Sequence, residues 1–239
     1  HFDDVQMTLL HLDLACALKE FGVKRGDLVG LISDNRREWM VTDLALLCLG
    51  AADVPRGCDS MGTEIRFILN FTGCRVCFFE NDRQLNKVLE NIDEVPELTD
   101  AILFDSPDEL TMERAALQGI RVHKFIEFED EGKKSSDSQR ALIEEEIEKT
   151  EGSDLATIIF TSGTTGTPKG VMLTHDNYMA QCEVIKDVFT TAREGDMWLS
   201  VLPVWHVMER VYDYFIIALK NGIAYSKPAI ELMREDMKV

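Results

Sequence analysis

The sequence predicts an α/β fold in which helices pack against a mostly parallel sheet. Through the first 125 residues, short apolar runs alternate with segments whose apolar residues recur at helical spacing. This alternation is typical of parallel sheets, because a crossover between two parallel strands usually contains a helix. The composition, 45% hydrophobic and 28% charged, is that of a globular protein.

The individual elements follow from these patterns in chain order. The first helix carries apolar residues at helical spacing between residues 10 and 21 and ends at Gly22. Further helices are predicted over residues 36–49 and around residues 65–69. Strands are predicted at residues 28–32, 51–54, 76–79, 101–104 and 120–122. We expect Pro55 to close the second strand, since proline cannot donate a ladder hydrogen bond.

A polar, acidic stretch suggests a division of the chain. Residues 127–154 read EFEDEGKKSSDSQRALIEEEIEKTEGSD, which predicts a solvated loop leading into an exposed helix around residues 141–149. We therefore expect a first α/β subdomain over residues 1–130, an acidic connecting segment over residues 131–153, and the start of a second subdomain over residues 154–239.

The charge and the apolar runs exclude some classes of protein. The formal net charge of −18 and the pI near 4.6 argue against a nucleic-acid-binding protein. No uncharged apolar run approaches the roughly 18 residues needed to cross a bilayer, and the first residues do not resemble a secretory signal. Because the chain begins with His1 rather than Met, we expect it to be part of a longer protein.

The six cysteines are too few for a disulfide scaffold in a chain of this size, which favours a reducing, cytoplasmic environment. Cys74 and Cys77 form a C-x-x-C motif that could indicate redox chemistry or a zinc site. No second pair follows, and the residues around the motif alternate as in a buried strand, with Val76 and Phe78 on one face and Cys77 and Phe79 on the other. A structural role is therefore favoured.

The segment that most clearly indicates chemistry is TSGTTGTPKG, residues 161–170, directly after a predicted strand at residues 155–160. Its three glycines let backbone N–H groups approach a ligand. Its hydroxyls add donors and Lys169 adds a positive charge, so the loop suits the oxygens of a polyphosphate. A flexible surface turn would explain the composition, but not the strand before the loop or the apolar run VMLTH after it.

Three other kinds of loop do not fit. In a G-x-x-x-x-G-K-[ST] loop a glycine directly precedes the lysine, whereas here Gly163 lies six residues before Lys169 and Gly170 follows it. The G-x-G-x-x-G pattern is also absent. So is G-x-S-x-G, and Ser162 is therefore not expected to be a nucleophile.

Four segments resemble the adenylate-forming superfamily of acyl-CoA synthetases, luciferases and peptide-synthetase adenylation domains. The run FTSGTTGTPKGVMLTH resembles its phosphate loop. Residues 22–55 are similar to its first subdomain and include NRREW, a run frequent in the long-chain branch. The segment LPVWHVMER, residues 202–210, resembles the L-P-x-x-H-x-x-E-R segment of long-chain acyl-CoA and acyl-carrier-protein synthetases. Residues 56–64, RGCDSMGTE, resemble an acyl-carrier-protein-linked branch.

The resemblance implies parallel sheets with helices on both faces and an ATP-dependent reaction in two steps. The carboxylate of a fatty acid attacks the α-phosphate of ATP to give an acyl-adenylate and pyrophosphate, and the thiol of CoA or an acyl-carrier protein then takes the acyl group. Mg²⁺ assists the first step in such enzymes. The resemblance places the following residues around the β- and γ-phosphates: Thr161, Ser162, Gly163, Thr164, Thr165, Gly166 and Lys169.

The same resemblance implies that His206 lies beside the acyl carboxylate and adenylate, so His206 and Lys169 are the candidate catalytic residues. Taken alone, a histidine on an apolar segment is more often structural. Trp205 either gates or lines the acyl tunnel, or is a buried aromatic anchor. Glu209 and Arg210 either pair with each other or brace the site. No metal ligand is assigned.

We expect His175 to cap the helix that follows it. The resemblance covers nearly the whole chain, but the family's magnesium-binding glutamate motif, its ribose-binding aspartate and its C-terminal lysine have no match here. The 239 residues alone are therefore expected to be inactive.

The leading hypothesis is a long-chain fatty acid ligase that transfers the acyl group to CoA or to an acyl-carrier protein. Because the substrate is apolar, the hypothesis is compatible with peripheral membrane contact. A ligase for another carboxylate, a non-catalytic nucleotide-binding module and a scaffold protein remain the alternatives.

Overall fold

The computed structural model describes residues 4–161, 168–186, 188–189 and 193–226, which form nine strands and nine α-helices. The strands are β1 Leu28–Ile32, β2 Ala52–Arg56, β3 Val76–Phe79, β4 Asp100–Leu103, β5 Arg121–Lys124, β6 Leu155–Thr161, β7 Lys169–Thr174, β8 Met197–Ser200 and β9 Gly222–Tyr225. The helices are α1 Asp4–Phe21, α2 Arg37–Cys48, α3 Gly62–Thr72, α4 Asp82–Leu89, α5 Glu109–Leu117, α6 Phe125–Gly132, α7 Asp137–Glu148, α8 His175–Ile185 and α9 Val207–Ala218.

Seven strands form one sheet in the order β5-β4-β3-β1-β2-β6-β7. Every neighbouring pair is parallel except β6 and β7, which are antiparallel. Strands β8 and β9 form a second, parallel sheet. The mostly parallel α/β fold predicted from the sequence is confirmed.

Helices cover both faces of the large sheet. The alternation predicted for β3 is present, since Val76 and Phe78 lie in one apolar core and Cys77 and Phe79 in the other. The first core contains residues of α1, α2, α6 and α7. The second contains residues of α3, α4 and α5. A strand apolar on both sides is what a sheet covered on both faces requires.

Pro55 does not close its strand, contrary to the prediction. It lies inside β2, opposite Leu31 of β1. The backbone groups of successive strand residues point alternately to the two neighbouring strands. Those of residues 52, 54 and 56 point to β1, so the nitrogen of Pro55, which carries no hydrogen, points to β6. Among the residues that the structure describes, β2 and β6 are in register at a single pair, Asp53 with Thr157. Proline is therefore tolerated where the strand has no partner for that N–H.

The acidic stretch is more ordered and more buried than predicted. Its first part belongs to α6, in which Phe125, Phe128 and Glu129 are buried. The carboxylate of Glu129 accepts a hydrogen bond of 2.7 Å from Arg37, and this pairing lets an acidic residue be buried. The predicted exposed helix is present as α7, although Ile143 is fully buried in the first core.

Residues beyond position 154 extend the large sheet through β6 and β7. The division into residues 1–130, 131–153 and 154–239 stays a prediction. Across the described ranges, no helix combines the length and the apolar character that crossing a membrane would require.

Candidate active site

Thr161 and Lys169 form the base of the predicted phosphate loop. They are the last residue of β6 and the first of β7, and they lie directly opposite each other in the antiparallel pair. Both side chains are exposed. Directly opposed residues have Cβ atoms about 4.5–5.5 Å apart, so the side chains of Thr161 and Lys169 start from neighbouring positions at this edge of the sheet. Ser162, Gly163, Thr164, Thr165 and Gly166 lie outside the described residues.

Arg56 fixes the end of β6 immediately before that loop. Its Nη1 donates a hydrogen bond of 3.2 Å to the backbone oxygen of Phe160. Its Nη2 forms an ion pair with Glu64 at the start of α3. Residues 56–64 stand out in the sequence only through a resemblance; in the structure, Arg56 and Glu64 hold the strand that leads into the loop.

Trp205 packs against the residue that follows Arg56. A Cβ atom at Gly57 would lie 2.7 Å from Cε2 of Trp205 and closer still to Cζ2 and Cη2. Gly57 is buried and the Trp205 side chain is half-buried. The indole is therefore seated directly on the backbone at the end of β2, which brings residues 202–206 to the carboxyl edge of the large sheet.

Asn35 anchors the same segment from the end of β1. Its side-chain nitrogen donates to the backbone oxygen of Leu202 at 2.6 Å and to Oγ of Ser200 at 3.1 Å. Its side-chain oxygen accepts from the backbone N–H of Val204 at 2.8 Å. Val204 itself is buried in the first core. The segment that carries Trp205 is thus fixed by three polar contacts and one apolar one.

His206 is exposed and begins the helix α9 as its N-cap residue. Its Nδ1 accepts a hydrogen bond of 3.4 Å from the backbone N–H of Met208. The ring therefore has a structural contact on one nitrogen, while its position beside Trp205 leaves it open to solvent. That geometry is compatible with both a structural and a catalytic role for His206.

Arg210 and Glu209 do not pair with each other. Arg210 is fully buried and forms ion pairs with Asp43 of α2 and Asp53 of β2. Its Nε donates to the Tyr214 hydroxyl at 2.8 Å.

Glu209, also buried, accepts a hydrogen bond of 2.8 Å from the backbone N–H of Val201. Of the two alternatives, bracing therefore describes these residues: Arg210 ties α9 to the large sheet, and Glu209 holds the segment before it.

Burial raises the pKa of several carboxyl groups around α9. The pKa of Asp43 is raised to about 7, mainly by desolvation and despite the nearby guanidinium of Arg210. Desolvation also raises the pKa of Asp53, of Glu209 and, well above its ordinary value, of Asp213. One guanidinium thus faces two buried carboxyl groups, which favours retention of a proton on that pair at neutral pH.

The prediction that His175 caps α8 is wrong. Thr174 is the N-cap residue, and it forms a capping box with Asn177. His175 is the first residue of the helix. Partial burial lowers the pKa of His175, because desolvation disfavours the charged imidazolium.

Cys74 and Cys77 are buried thiols. Burial raises the pKa of Cys74 to about 12 and that of Cys77 well above its ordinary value, so both stay protonated at neutral pH. A thiolate is the form that binds metal or attacks a disulfide. The structural interpretation of the C-x-x-C motif is therefore supported.

Asp34, Cys58 and Glu80 bring three potential ligand atoms within 4.8 Å of one another at the carboxyl ends of β1, β2 and β3. Both carboxylates already have protein donors. Asp34 accepts from the backbone N–H of Cys58 at 3.0 Å, and Glu80 accepts from the Ser33 hydroxyl at 3.1 Å and the Asp34 N–H at 2.9 Å. These bonds account for the positions of the two carboxylates.

Comparison with known proteins agrees with this architecture. A family model described as AMP-binding enzyme matches residues 6–236. The chain is 32% identical over 237 residues to the chloroplastic long-chain-fatty-acid–[acyl-carrier-protein] ligase AEE15 of Arabidopsis thaliana, covering 95% of this chain and 31% of that protein. It is 29% identical over 232 residues to long-chain-fatty-acid–CoA ligase 5 of Mus musculus, covering 94% of this chain and 32% of that protein. The chain thus spans about a third of the length of these curated relatives.

A solved structure shares the fold. The A-PCP didomain of a carboxylic acid reductase from Segniliparus rugosus, in complex with AMP, superposes with a TM-score of 0.76 at 19% sequence identity. The match covers 92% of this chain and 32% of that one. At this identity the likeness concerns the fold alone.

Proposed function

Because this chain belongs to the family of AMP-binding enzymes, we propose that the whole protein activates a long-chain fatty acid with ATP and transfers the acyl group to a thiol. In the first step a carboxylate oxygen bonds to the α-phosphorus, and the bond from that phosphorus to the oxygen bridging to the β-phosphate breaks. The products are an acyl-adenylate and pyrophosphate. In the second step the thiol gives up its proton and its sulfur bonds to the acyl carbon, while the bond from that carbon to the phosphate oxygen breaks and AMP leaves.

The observation that carries this proposal is the position of two consecutive residues at the end of β2. Arg56 contacts Phe160, next to the phosphate loop, and Gly57 contacts Trp205, next to His206. The two segments that sequence resemblance assigns to ATP and to the acyl group therefore converge on one strand end. Ligands of open α/β sheets bind at the carboxyl ends of the strands, which supports a shared site here.

Each residue has a defined part in the proposed reaction. Lys169 and Thr161, with the loop hydroxyls and backbone N–H groups of residues 162–166, hold the β- and γ-phosphates and stabilise the charge on the departing pyrophosphate. His206 lies beside the reacting carboxylate and orients it against the α-phosphate. Trp205 borders the acyl chain, and its large apolar ring suits a hydrocarbon substrate.

Mg²⁺ supplies charge neutralisation to the phosphates in enzymes of this kind, but the cluster of potential metal ligands found among the described residues does not fit it. The candidate group Asp34, Cys58 and Glu80 includes a thiol, whereas Mg²⁺ prefers oxygen ligands. Burial raises the pKa of that thiol to well above its ordinary value, so it offers no thiolate either. We assign no step of the reaction to a metal held by these residues.

The proposed substrate class is supported by the L-P-x-x-H-x-x-E-R segment at residues 202–210 and by the relatives named as long-chain fatty acid ligases. CoA and an acyl-carrier protein present the same phosphopantetheine thiol chemistry, so both are proposed acceptors. We place the protein in the cytoplasm, with peripheral membrane contact through its substrate.

The test is an acyl-hydroxamate assay of the full-length protein with ATP and a panel of acids from acetate to stearate, together with benzoate and an amino acid. We expect acids of 14–18 carbons to give the highest kcat/KM. A second assay then compares CoA with acyl-carrier protein as acceptor. Preference for a short, aryl or amino acid would contradict the substrate assignment, and absence of hydroxamate with every acid would contradict the ligase activity.

A further inference from the structure

Gly57 stands where no other residue leaves room for the Trp205 indole. A Cβ atom there would lie 2.7 Å from Cε2 of Trp205 and nearer to two further ring atoms, which is shorter than any normal carbon–carbon contact. Gly57 does not have a positive φ, so its backbone conformation is one that alanine also adopts. The requirement for glycine at this position is therefore the space that the indole occupies.

Three hydrogen bonds hold the residues that directly follow Gly57. The backbone N–H of Cys58 donates to Asp34 at 3.0 Å. The ammonium of Lys87 donates to the backbone oxygens of Cys58 and Ser60, at 2.7 Å each. A loop with these three hydrogen bonds resists movement, because displacing it would leave half-buried polar groups without partners.

The backbone of the segment that carries Trp205 is also held. Asn35 bonds to Leu202 and Val204, and Val204 is buried. When a side chain is added at position 57, the indole is thus the part of the contact that can move, by rotation about its own side-chain bonds.

We propose that Gly57 is a specificity-determining residue, because the space it leaves sets the position of the Trp205 indole beside the acyl chain. This inference rests on the proposed function. A methyl group at position 57 pushes the indole away from β2, and the volume that the ring takes up on its other side is lost to the substrate. The preference of the enzyme then shifts toward shorter acids.

The experiment compares Gly57→Ala, Trp205→Leu and the double variant with the wild-type full-length protein. The first readout is ¹⁹F NMR of protein labelled with 5-fluorotryptophan, in which the Trp205 resonance is identified by its loss in Trp205→Leu. The second is the ratio of kcat/KM for palmitate to that for decanoate. Thermal unfolding verifies that each variant is folded.

We expect Gly57→Ala to move the Trp205 resonance and to lower the palmitate-to-decanoate ratio by about tenfold or more. In the Trp205→Leu background the same substitution should change the ratio by less than twofold, because the clash is absent. Leucine lacks the three indole atoms, Cε2, Cζ2 and Cη2, that the added methyl group would meet.

Three results would overturn the inference, and they differ in what they leave standing. If the resonance moves and Trp205→Leu alters the ratio while Gly57→Ala does not, the role of Gly57 is wrong and the proposed function survives. If neither single variant alters the ratio in an active enzyme, Trp205 is not at the acyl chain. If the resonance does not move, the packing argument is wrong, and this readout does not depend on any activity.

Discussion

Asn35 and Val204 are joined by a hydrogen bond of 2.8 Å between a side-chain oxygen and a backbone N–H that lie 169 positions apart in the sequence. The bond connects the end of β1 to the segment that precedes α9. The residues proposed to meet the acyl group, Trp205 and His206, follow directly. Their positions therefore depend on a residue that contacts neither ATP nor the fatty acid in the proposed scheme.

Asn35→Ala is expected to loosen this segment. The substitution removes three hydrogen bonds and leaves the buried N–H of Val204 without a partner, which typically costs about 1–3 kcal/mol of unfolding free energy. Chemical denaturation of the protein measures that change. Asn70→Ala, at an exposed position in α3, is the matched control and should change the free energy of unfolding by less than about 0.5 kcal/mol. Equal effects of the two variants would contradict the anchoring role.

Arg210→Met is expected to be strongly destabilising. The Asp43–Asp53 pair, which retains one proton, is left with a buried negative charge and no cation, and breaking a buried ion pair costs about 3–5 kcal/mol of unfolding free energy. Adding Asp43→Asn and Asp53→Asn to Arg210→Met removes that unpaired charge and should recover part of the loss. Denaturation of the single and triple variants measures the recovery. No recovery would show that charge is not the cause of the instability.

Asp213→Asn is expected to change how the stability of the protein depends on pH. Burial raises the pKa of Asp213 well above its ordinary value, so above about pH 4 the folded state retains a proton that the unfolded state has lost. The contribution of this carboxyl to the unfolding free energy is therefore complete at low pH and declines as the pH rises. Asparagine carries no charge to bury, and the variant should gain stability relative to wild type between pH 5 and pH 8.

The measurement is the thermal unfolding midpoint across that pH range. Asp93→Asn, at an exposed position, serves as the control and should follow the wild-type profile. A difference between Asp213→Asn and wild type that is the same at every pH would mean that the carboxyl does not keep its proton in the folded protein.

His206→Asn and Trp205→Leu should affect different kinetic properties. Asparagine retains a side-chain acceptor for the N-terminus of α9, so the helix keeps its cap while the imidazole is lost. We expect adenylate formation to slow by about 100-fold with little change in chain-length preference. Trp205→Leu should instead change the preferred chain length. Rate profiles over a panel of acids separate the two effects, and identical profiles for both variants would contradict the separate roles.

Lys169→Ala is expected to weaken ATP binding. A hydrogen bond to a charged group is worth about 1.5–3 kcal/mol, which corresponds to a roughly 10- to 150-fold rise in Kd. Isothermal calorimetry on the full-length protein measures it. Lys133→Ala, which removes an exposed lysine beside α6, is the control and should leave the Kd unchanged. An unchanged Kd in Lys169→Ala would remove this residue from the phosphate site.

The elements that could be predicted from the sequence are those whose pattern is local. Strands β1 and β3 are continuous buried runs, and the bounds predicted for them match the structure. Helix α4 has eight residues with only three apolar positions, 85, 88 and 89, too few for its pattern to predict a helix. The acidic composition of α6 predicts a solvated loop instead, because nothing local indicates that Glu129 is buried with a partner 92 positions away.

The candidate site also has one part that the sequence predicts and another that it does not. The phosphate loop could be recognised because its residues are consecutive, and the hairpin of β6 and β7 brings Thr161 and Lys169 together at its base. The contact of Arg56 with Phe160 spans 104 positions, and that of Arg210 with Asp43 spans 167. No local pattern encodes such pairs, because they depend on how separate strands and helices pack together.

The measurement that tests the central proposal most directly is ATP–pyrophosphate exchange by the full-length protein in the presence and absence of palmitate. Exchange requires an adenylate to form reversibly on the enzyme, and it requires no thiol acceptor. We predict exchange that depends on the added fatty acid and falls by at least tenfold in Lys169→Ala at limiting ATP, with Lys133→Ala at the wild-type rate. Absence of acid-dependent exchange with palmitate and with every other carboxylic acid in the panel would contradict adenylate formation by this protein.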